Sequence, residues 1–386
     1  MRLGGSFTLS SGLPAMKDYY LQCISCNSVF DEVVFRCPKC GGLPIFKYTA
    51  GKFVIDKSKP GMWRYSNYLP RITNIVSRGE GLTPISEVEG VFIKNEKFNP
   101  TGTYSDRASS LIASYLLTNR VSKVITRFEE DFTYSLAYYL NGISEFEVVV
   151  EDVIALNTTE VSSILEMNGK LVMRVGSPTN YLEYANPLTV EGLKTIAFEI
   201  VERGVRADTI VVPARSGVLA YAIYKGLAEL AEAGIDAPYE VVAALVRGEA
   251  VPNLLKVCRG MKFDEVYEEE ILNAIIRLSK RGIRTKPLSA LAYATASNAS
   301  SAVAVVTMGF KAIPIHRSKN DSVRKEVCRI VREAGRATAY EIWRKAPIYT
   351  LRGIYKLLNS MERRKEICSE VVYRGNRKVR YYRMCE

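Results

Sequence analysis

Four cysteines near the amino terminus have the spacing of a metal site. Cys23-x-x-Cys26 and Cys37-x-x-Cys40 form two knuckles separated by ten residues, and Gly41 and Gly42 follow the second. Four thiolates in this pattern can close a tetrahedral shell on Zn²⁺. A shell filled entirely by protein ligands is structural rather than catalytic. The glycines let the backbone turn tightly around the metal. The spacing predicts a zinc ribbon over residues 17–50. The alternatives are disulfides, which are disfavoured inside a cell, and a ribbon that has lost its metal. The other four cysteines, Cys258, Cys328, Cys368 and Cys385, have no ligand spacing and read as core or incidental thiols.

A second chemistry lies at the other end of the chain. The 386 residues hold 53 Lys and Arg against 41 Asp and Glu. The last 70 residues, from Arg317, hold 19 and 8 of these, leaving 34 and 33 for the rest. The tail thus carries a net charge of +11 of the total +12. Such asymmetry points to nucleic acid or an acidic surface as partner.

Within that tail, apolar residues recur at helical spacing through Val323, Val327, Ile330 and Val331, predicting a helix over 322–334 that Gly335 ends. Thr338 can cap a short helix from Ala339 to Lys345, followed by Pro347. Thr350 can cap a third helix carrying Leu351, Ile354, Leu357, Leu358 and Met361, and two strands follow at Ile367 to Tyr373 and Lys378 to Met384. On the third helix Arg352, Tyr355, Lys356 and Asn359 fall opposite the apolar stripe. Arg and Asn can make bidentate contacts to guanine and adenine. The order of elements, with Tyr340-Glu341-Ile342-Trp343-Arg344 and Thr350-Leu351-Arg352-Gly353-Ile354, resembles a winged helix-turn-helix over residues 321–386. That resemblance implies double-stranded DNA as partner. The third helix would read base edges through Thr350, Arg352, Tyr355, Lys356 and Asn359. Arg374, Arg377, Lys378 and Arg380 would meet phosphates or the minor groove. The alternative is a solvated basic face on a dimerisation module. Of Tyr381 and Tyr382, alternation along the last strand puts one in the core.

Between the two ends, the run from Lys94 to Arg107 reads K-N-E-K-F-N-P-T-G-T-Y-S-D-R. It resembles the "K-N-E-x-x-N-P-T-G-S-F-K-D-R" segment of threonine synthase, a pyridoxal-phosphate enzyme of the tryptophan-synthase-β type. Four further ordered segments resemble the same family: Gly79 to Pro84; Asn186-Pro187 with Glu191 to Ile200; Pro287 to Ala290; and Thr307 to Lys311. The resemblance spans roughly residues 1–316. It implies a two-subdomain, parallel α/β domain of the fold type II pyridoxal-phosphate class over 51–316.

The departures fall where the cofactor would sit. The family's lysine forms an imine with the cofactor, and here that position is Ser105, whose hydroxyl cannot. The family's "S-S-G-N" ring loop becomes Phe128-Glu129-Glu130-Asp131, and its glycine-rich phosphate loop becomes Ala214-Arg215-Ser216-Gly217-Val218-Leu219. Thr307 keeps the position that resembles the family's contact to the pyridine nitrogen. A degenerate pocket is therefore expected at Asp131, Arg215, Ser216, Gly217 and Thr307, with no pyridoxal-phosphate imine at position 105. Arg215 could meet a phosphate or carboxylate there, or fill the old phosphate space with a salt bridge.

These readings converge on a homodimeric transcription regulator. Its inactive threonine-synthase-like domain would bind an amino acid or phosphorylated metabolite, or serve as a dimerisation module. A lyase using another lysine, and a scaffold that modulates a true threonine synthase, are the alternatives. No run of about 18 apolar residues predicts a membrane span, and no signal-peptide pattern follows Met1. The expected location is the cytoplasm. One glutamine, Gln22, and one histidine, His316, beside abundant charged residues suggest a hyperthermophile.

Overall fold

The computed structural model describes residues 19–48, 52–154, 156–173, 181–308, 321–345, 351–375 and 377–385. The chain divides into two compact units, Met1–Ile313 and Pro314–Glu386.

The first unit opens with an antiparallel sheet of β1 (Tyr19–Cys23), β2 (Val29–Phe30) and β3 (Pro44–Tyr48), in the order β2-β1-β3. Each cysteine pair sits on a tight turn. Asn27 and Gly41 take left-handed φ of 57° and 72° after the knuckles, as a reversal around one point demands. Gly42 has no room for a side chain, because a Cβ there would lie 2.5 Å from Ser25 Oγ.

Two further sheets follow, one parallel and one parallel except for an antiparallel edge strand. Strands β4 (Ile85–Val88) and β5 (Val91–Asn95) form a hairpin whose turn residues Glu89 and Gly90 both have positive φ, the twist-matched arrangement for a two-residue turn. Helix α1 (Ser105–Thr118) then leads to a three-stranded parallel sheet, β6 (Lys123–Arg127), β7 (Glu145–Val150) and β8 (Lys170–Met173), with helices α2 (Phe132–Leu140) and α3 (Thr158–Glu166) between its strands. Helix α4 (Pro187–Glu202) returns the chain to the larger sheet. There β9 (Thr209–Pro213), α5 (Val218–Glu232), β10 (Glu240–Val246), β11 (Lys262–Val266), α6 (Glu268–Lys280), α7 (Pro287–Ala296) and β12 (Ala302–Val306) complete the order β11-β10-β9-β12-β5-β4. The central strand β12, Ala-Val-Ala-Val-Val, is buried on both faces, the signature of a parallel strand covered on each side. Glycines set the helix spacing. A Cβ on Gly192 of α4 would lie 2.5 Å from the Arg107 carbonyl of α1, and one on Gly226 of α5 would lie 2.8 Å from the Lys194 carbonyl of α4.

The second unit comprises α8 (Asp321–Ala334), β13 (Ala337–Thr338), α9 (Ala339–Lys345), α10 (Leu351–Arg363), β14 (Ile367–Arg374) and β15 (Arg377–Met384), with sheet order β13-β15-β14. Gly335 ends α8 at φ 69°. Thr338 and Glu341 cap α9 reciprocally: the Thr338 amide donates to Glu341 Oε2 at 2.7 Å and the Glu341 amide donates to Thr338 Oγ1 at 3.2 Å. Val327, Ile330, Val331, Ile342, Ile354, Leu358, Met361, Ile367 and Tyr382 form its core. No described helix is long and apolar enough to cross a membrane.

As alternation predicts, one of the two tyrosines, Tyr382, joins the core, while the Arg336 guanidinium covers the Tyr381 ring at 5.0 Å on the other face. One sequence expectation changes. Cys368 and Cys385, read as incidental thiols, form a disulfide. The register of β14 on β15 pairs Ile367 with Met384, which brings the two flanking cysteines to adjacent positions. Spacing along the chain does not show this.

Candidate functional site

The site is built around the start of α1. Ser105 is its first residue, fully buried, with its Oγ lacking a hydrogen-bond partner. The preceding Tyr104 amide donates to the Thr307 carbonyl at 2.9 Å, which ties this turn to the end of β12. Asp106 accepts from the Thr101 amide at 2.6 Å, from the Thr101 hydroxyl and from Ser135 Oγ. Burial outweighs these donors and pushes the Asp106 carboxyl up to about 7. Arg107 is buried and forked. Its Nε reaches Glu96 Oε2 at 2.7 Å and its Nη1 reaches Glu199 Oε1 at 2.6 Å. Lys94 Nζ donates to Glu199 Oε2 at 2.6 Å. Every charge in this network has a partner, the condition under which buried ions persist. The charged residues on either side of Ser105 that carry the family resemblance are therefore scaffold.

The ring loop follows β6. Glu129 and Glu130 are exposed, and Asp131 caps α2 with φ 70°. Glu130, Asp131 and Glu160 converge on one ammonium. Lys286 Nζ lies 2.8 Å from Asp131 Oδ1 and 3.5 Å from Glu160 Oε1, and it also pairs with Glu130. Burial alone would lower the Lys286 amine, but the three carboxylates outweigh it and hold the amine above its ordinary value. A protonated amine is not a nucleophile, so Lys286 is poorly suited to replace the missing lysine. Beside this cluster the hydroxyls of Tyr104 and Tyr184 meet at 2.8 Å, and Phe132 packs edge-on against Tyr184. Sequence reasoning missed Lys286, Glu160, Tyr104 and Tyr184. For Lys286 the one signal was its place immediately before the Pro287 motif.

At the phosphate-loop position Ala214 is buried while Arg215 and Ser216 are exposed. Gly217 caps α5 at φ 80°, and a Cβ there would lie 3.0 Å from Pro252 Cβ and Leu255 Cγ. Thr307 is buried, with its hydroxyl 2.8 Å from Ser289 Oγ. Asp131 and Thr307 thus have partners inside the protein, and Arg215 and Ser216 face outward. A pyridoxal-phosphate group held as an imine does not fit at Ser105, which brings a hydroxyl where an amine is needed.

The four amino-terminal cysteines do come together. Their Sγ atoms all lie within 4.8 Å of one another, with Cys23 to Cys40 at 3.5 Å and Cys26 to Cys37 at 3.6 Å. A tetrahedron with Zn–S bonds of about 2.3 Å has edges of about 3.8 Å, so the set fits Zn²⁺.

On α10, Arg352, Tyr355, Lys356 and Asn359 are all exposed, opposite buried Ile354, Leu357, Leu358 and Met361. On the hairpin Lys378 is exposed. Arg380 is also exposed but already has partners: its Nη2 lies 2.7 Å from Glu362 Oε2, and its guanidinium lies over the Tyr382 ring at 5.4 Å. Thr350 and the side chains of Arg374 and Arg377 lie outside the described residues.

Residues 76–307 match the family described as pyridoxal-phosphate dependent enzyme. The threonine synthase of Methanosarcina acetivorans is 27% identical over 307 residues, covering 71% of this chain and 76% of that protein. The threonine synthase of Methanocaldococcus jannaschii is 28% identical over 253 residues, covering 55% of this chain and 62% of that one. Among solved structures, serine racemase from Dictyostelium discoideum shares the fold with a TM-score of 0.51 at 17% identity, covering 60% of this chain and 92% of its own. With the match spanning the six-stranded and three-stranded sheets and the turn that carries Ser105, the chain belongs to the pyridoxal-phosphate dependent enzyme family.

Proposed function

We propose that this protein is a DNA-binding transcription regulator whose enzyme-like unit has given up covalent catalysis. The second unit is read as a winged helix-turn-helix, with α9 and α10 as its two-helix core and the β14–β15 hairpin as its wing. The observation that carries the reading is the row Arg352, Tyr355, Lys356 and Asn359, exposed on one face of α10. It belongs to the segment that holds nearly all of the chain's excess positive charge. The first unit then supplies dimerisation, or a cleft for an amino acid or phosphorylated metabolite. The amino-terminal cysteines hold a structural zinc, and the protein works as a homodimer in the cytoplasm.

Two points support the loss of catalysis: the hydroxyl at Ser105, and the engagement of Lys286 by three carboxylates. The relatives named above are enzymes, so a lyase is the competing reading. Borohydride treatment after incubation with pyridoxal phosphate separates the two, since a lysine–cofactor adduct found by mass spectrometry favours the lyase. The direct test is binding of the full-length protein to genomic duplex fragments across a salt series. Salt-dependent, sequence-selective binding supports the regulator. No binding at low ionic strength removes it and leaves a scaffold that modulates a true threonine synthase.

A further inference from the structure

The enzyme-like part of the first unit has a six-stranded and a three-stranded sheet, and the Lys286 cluster joins them. Lys286 immediately precedes α7, which packs on the larger sheet against β9, β10 and β12. Its three carboxylates come from the other lobe: Glu130 and Asp131 from the loop after β6, and Glu160 from α3, both attached to the three-stranded sheet. The acidic side is itself organised. The Asp131 amide donates to Glu160 Oε2 at 3.0 Å, and Asn157 Nδ2 donates to Glu130 Oε1 at 2.9 Å. Loop and helix therefore present their carboxylates as one surface. The lysine, Asp131 and Glu160 side chains are 16%, 17% and 5% exposed, so water screens these two pairs less than it screens surface ion pairs, whereas Glu130 is exposed.

We propose that Lys286 is an electrostatic strap that fastens the small lobe of the first unit to the large one, closing the cleft between them without a ligand. Two of its three partners, Glu130 and Asp131, lie in the segment that replaces the family's ring loop, so the strap arises where the sequence departs from the enzymes it resembles. A cleft that must take up a cofactor needs freedom to open. Here an ammonium from one lobe and a cluster of three carboxyl groups from the other oppose opening.

The test is hydrogen exchange followed by mass spectrometry on the full-length protein. Lys286→Met should speed amide exchange over residues 128–134 and in α3 by about tenfold or more, with α5 and β10 unchanged. Lys286→Arg keeps the charge and should leave exchange near wild type. Glu130→Gln with Asp131→Asn removes the other half of the strap. It should give the same regional pattern, and it carries the test if Lys286→Met does not fold. Unchanged exchange in that double variant, or acceleration spread evenly over the unit, would overturn the strap.

Discussion

At position 105 the chain carries a hydroxyl where the proposed loss of covalent catalysis places its first cause. Ser105 is fully buried and its Oγ has no partner. Putting the amine back by Ser105→Lys should nonetheless yield no threonine formation. The new lysine would meet a loop carrying Glu129, Glu130 and Asp131 and a phosphate loop with side chains where the family has glycines. Electrostatic preorganisation usually supplies the largest share of rate enhancement, and one amine does not replace it. A coupled assay for threonine checks this, and substantial turnover would show that the pocket is nearly intact. Glu160 supports a second prediction. Burial, with the Asp131 carboxylate beside it, raises its carboxyl from the usual 4.5 to about 8. A carboxyl with a raised pKa in the fold favours folding while protonated. Its contribution is fully present below pH 4.5 and is lost as pH rises through about 8. Glu160→Gln keeps the neutral form at every pH. The stability of that variant relative to wild type, measured by denaturant melts, should therefore improve steadily across this window. A pH-independent difference would mean that Glu160 stays ionised in the fold.

At the scale of elements, the proposed regulator makes separate demands on α10, on the hairpin and on the ribbon. On α10, changing Arg352 or Asn359 to Ala should cost about 1–3 kcal/mol of specific DNA affinity and relax the preference at one base pair. Lys378→Ala on the hairpin should weaken binding to all sequences alike and lower the salt slope by about one unit. Arg380 should behave unlike Lys378. It is paired with Glu362 and stacked on Tyr382, so Arg380→Ala should lower the melting temperature of the second unit and change the salt slope little. Competition binding and calorimetry separate these effects. In the ribbon, metal analysis of freshly prepared protein should find one zinc per chain, and Cys37→Ser should remove it. Cys37 is buried in the set, and a shell short of one thiolate no longer closes. The elements themselves were largely legible. Periodicity located α8, α9 and α10 within a residue or two, because each is an amphipathic helix with its own stop or cap. The Cys368–Cys385 bridge was not legible, because it depends on hairpin register. Neither was the ion cluster at Lys286, whose partners lie 126 to 156 residues away in sequence and meet only through packing of the two lobes.

For the whole molecule, the division of charge and the division of structure coincide. The boundary between the compact units falls at Ile313 and Pro314, and the excess positive charge begins at Arg317. The second unit also has a core of its own. A fragment from Ser318 to Glu386 should therefore fold alone and bind duplex DNA without sequence preference, since non-specific affinity follows phosphate neutralisation. Selectivity is a different property. Reading two half-sites needs two copies of α10 held at a fixed spacing of about one helical turn, and the fragment offers no other unit to hold them. The full-length protein should thus keep its preference for a selected operator as salt rises, while the fragment loses all binding over the same range. Titrating both against the operator and a scrambled duplex in a salt series measures this directly. If the fragment alone discriminates as well as the intact chain, the enzyme-like unit has no part in presenting the helices. Its role would then have to be sought in whatever changes the state of its cleft.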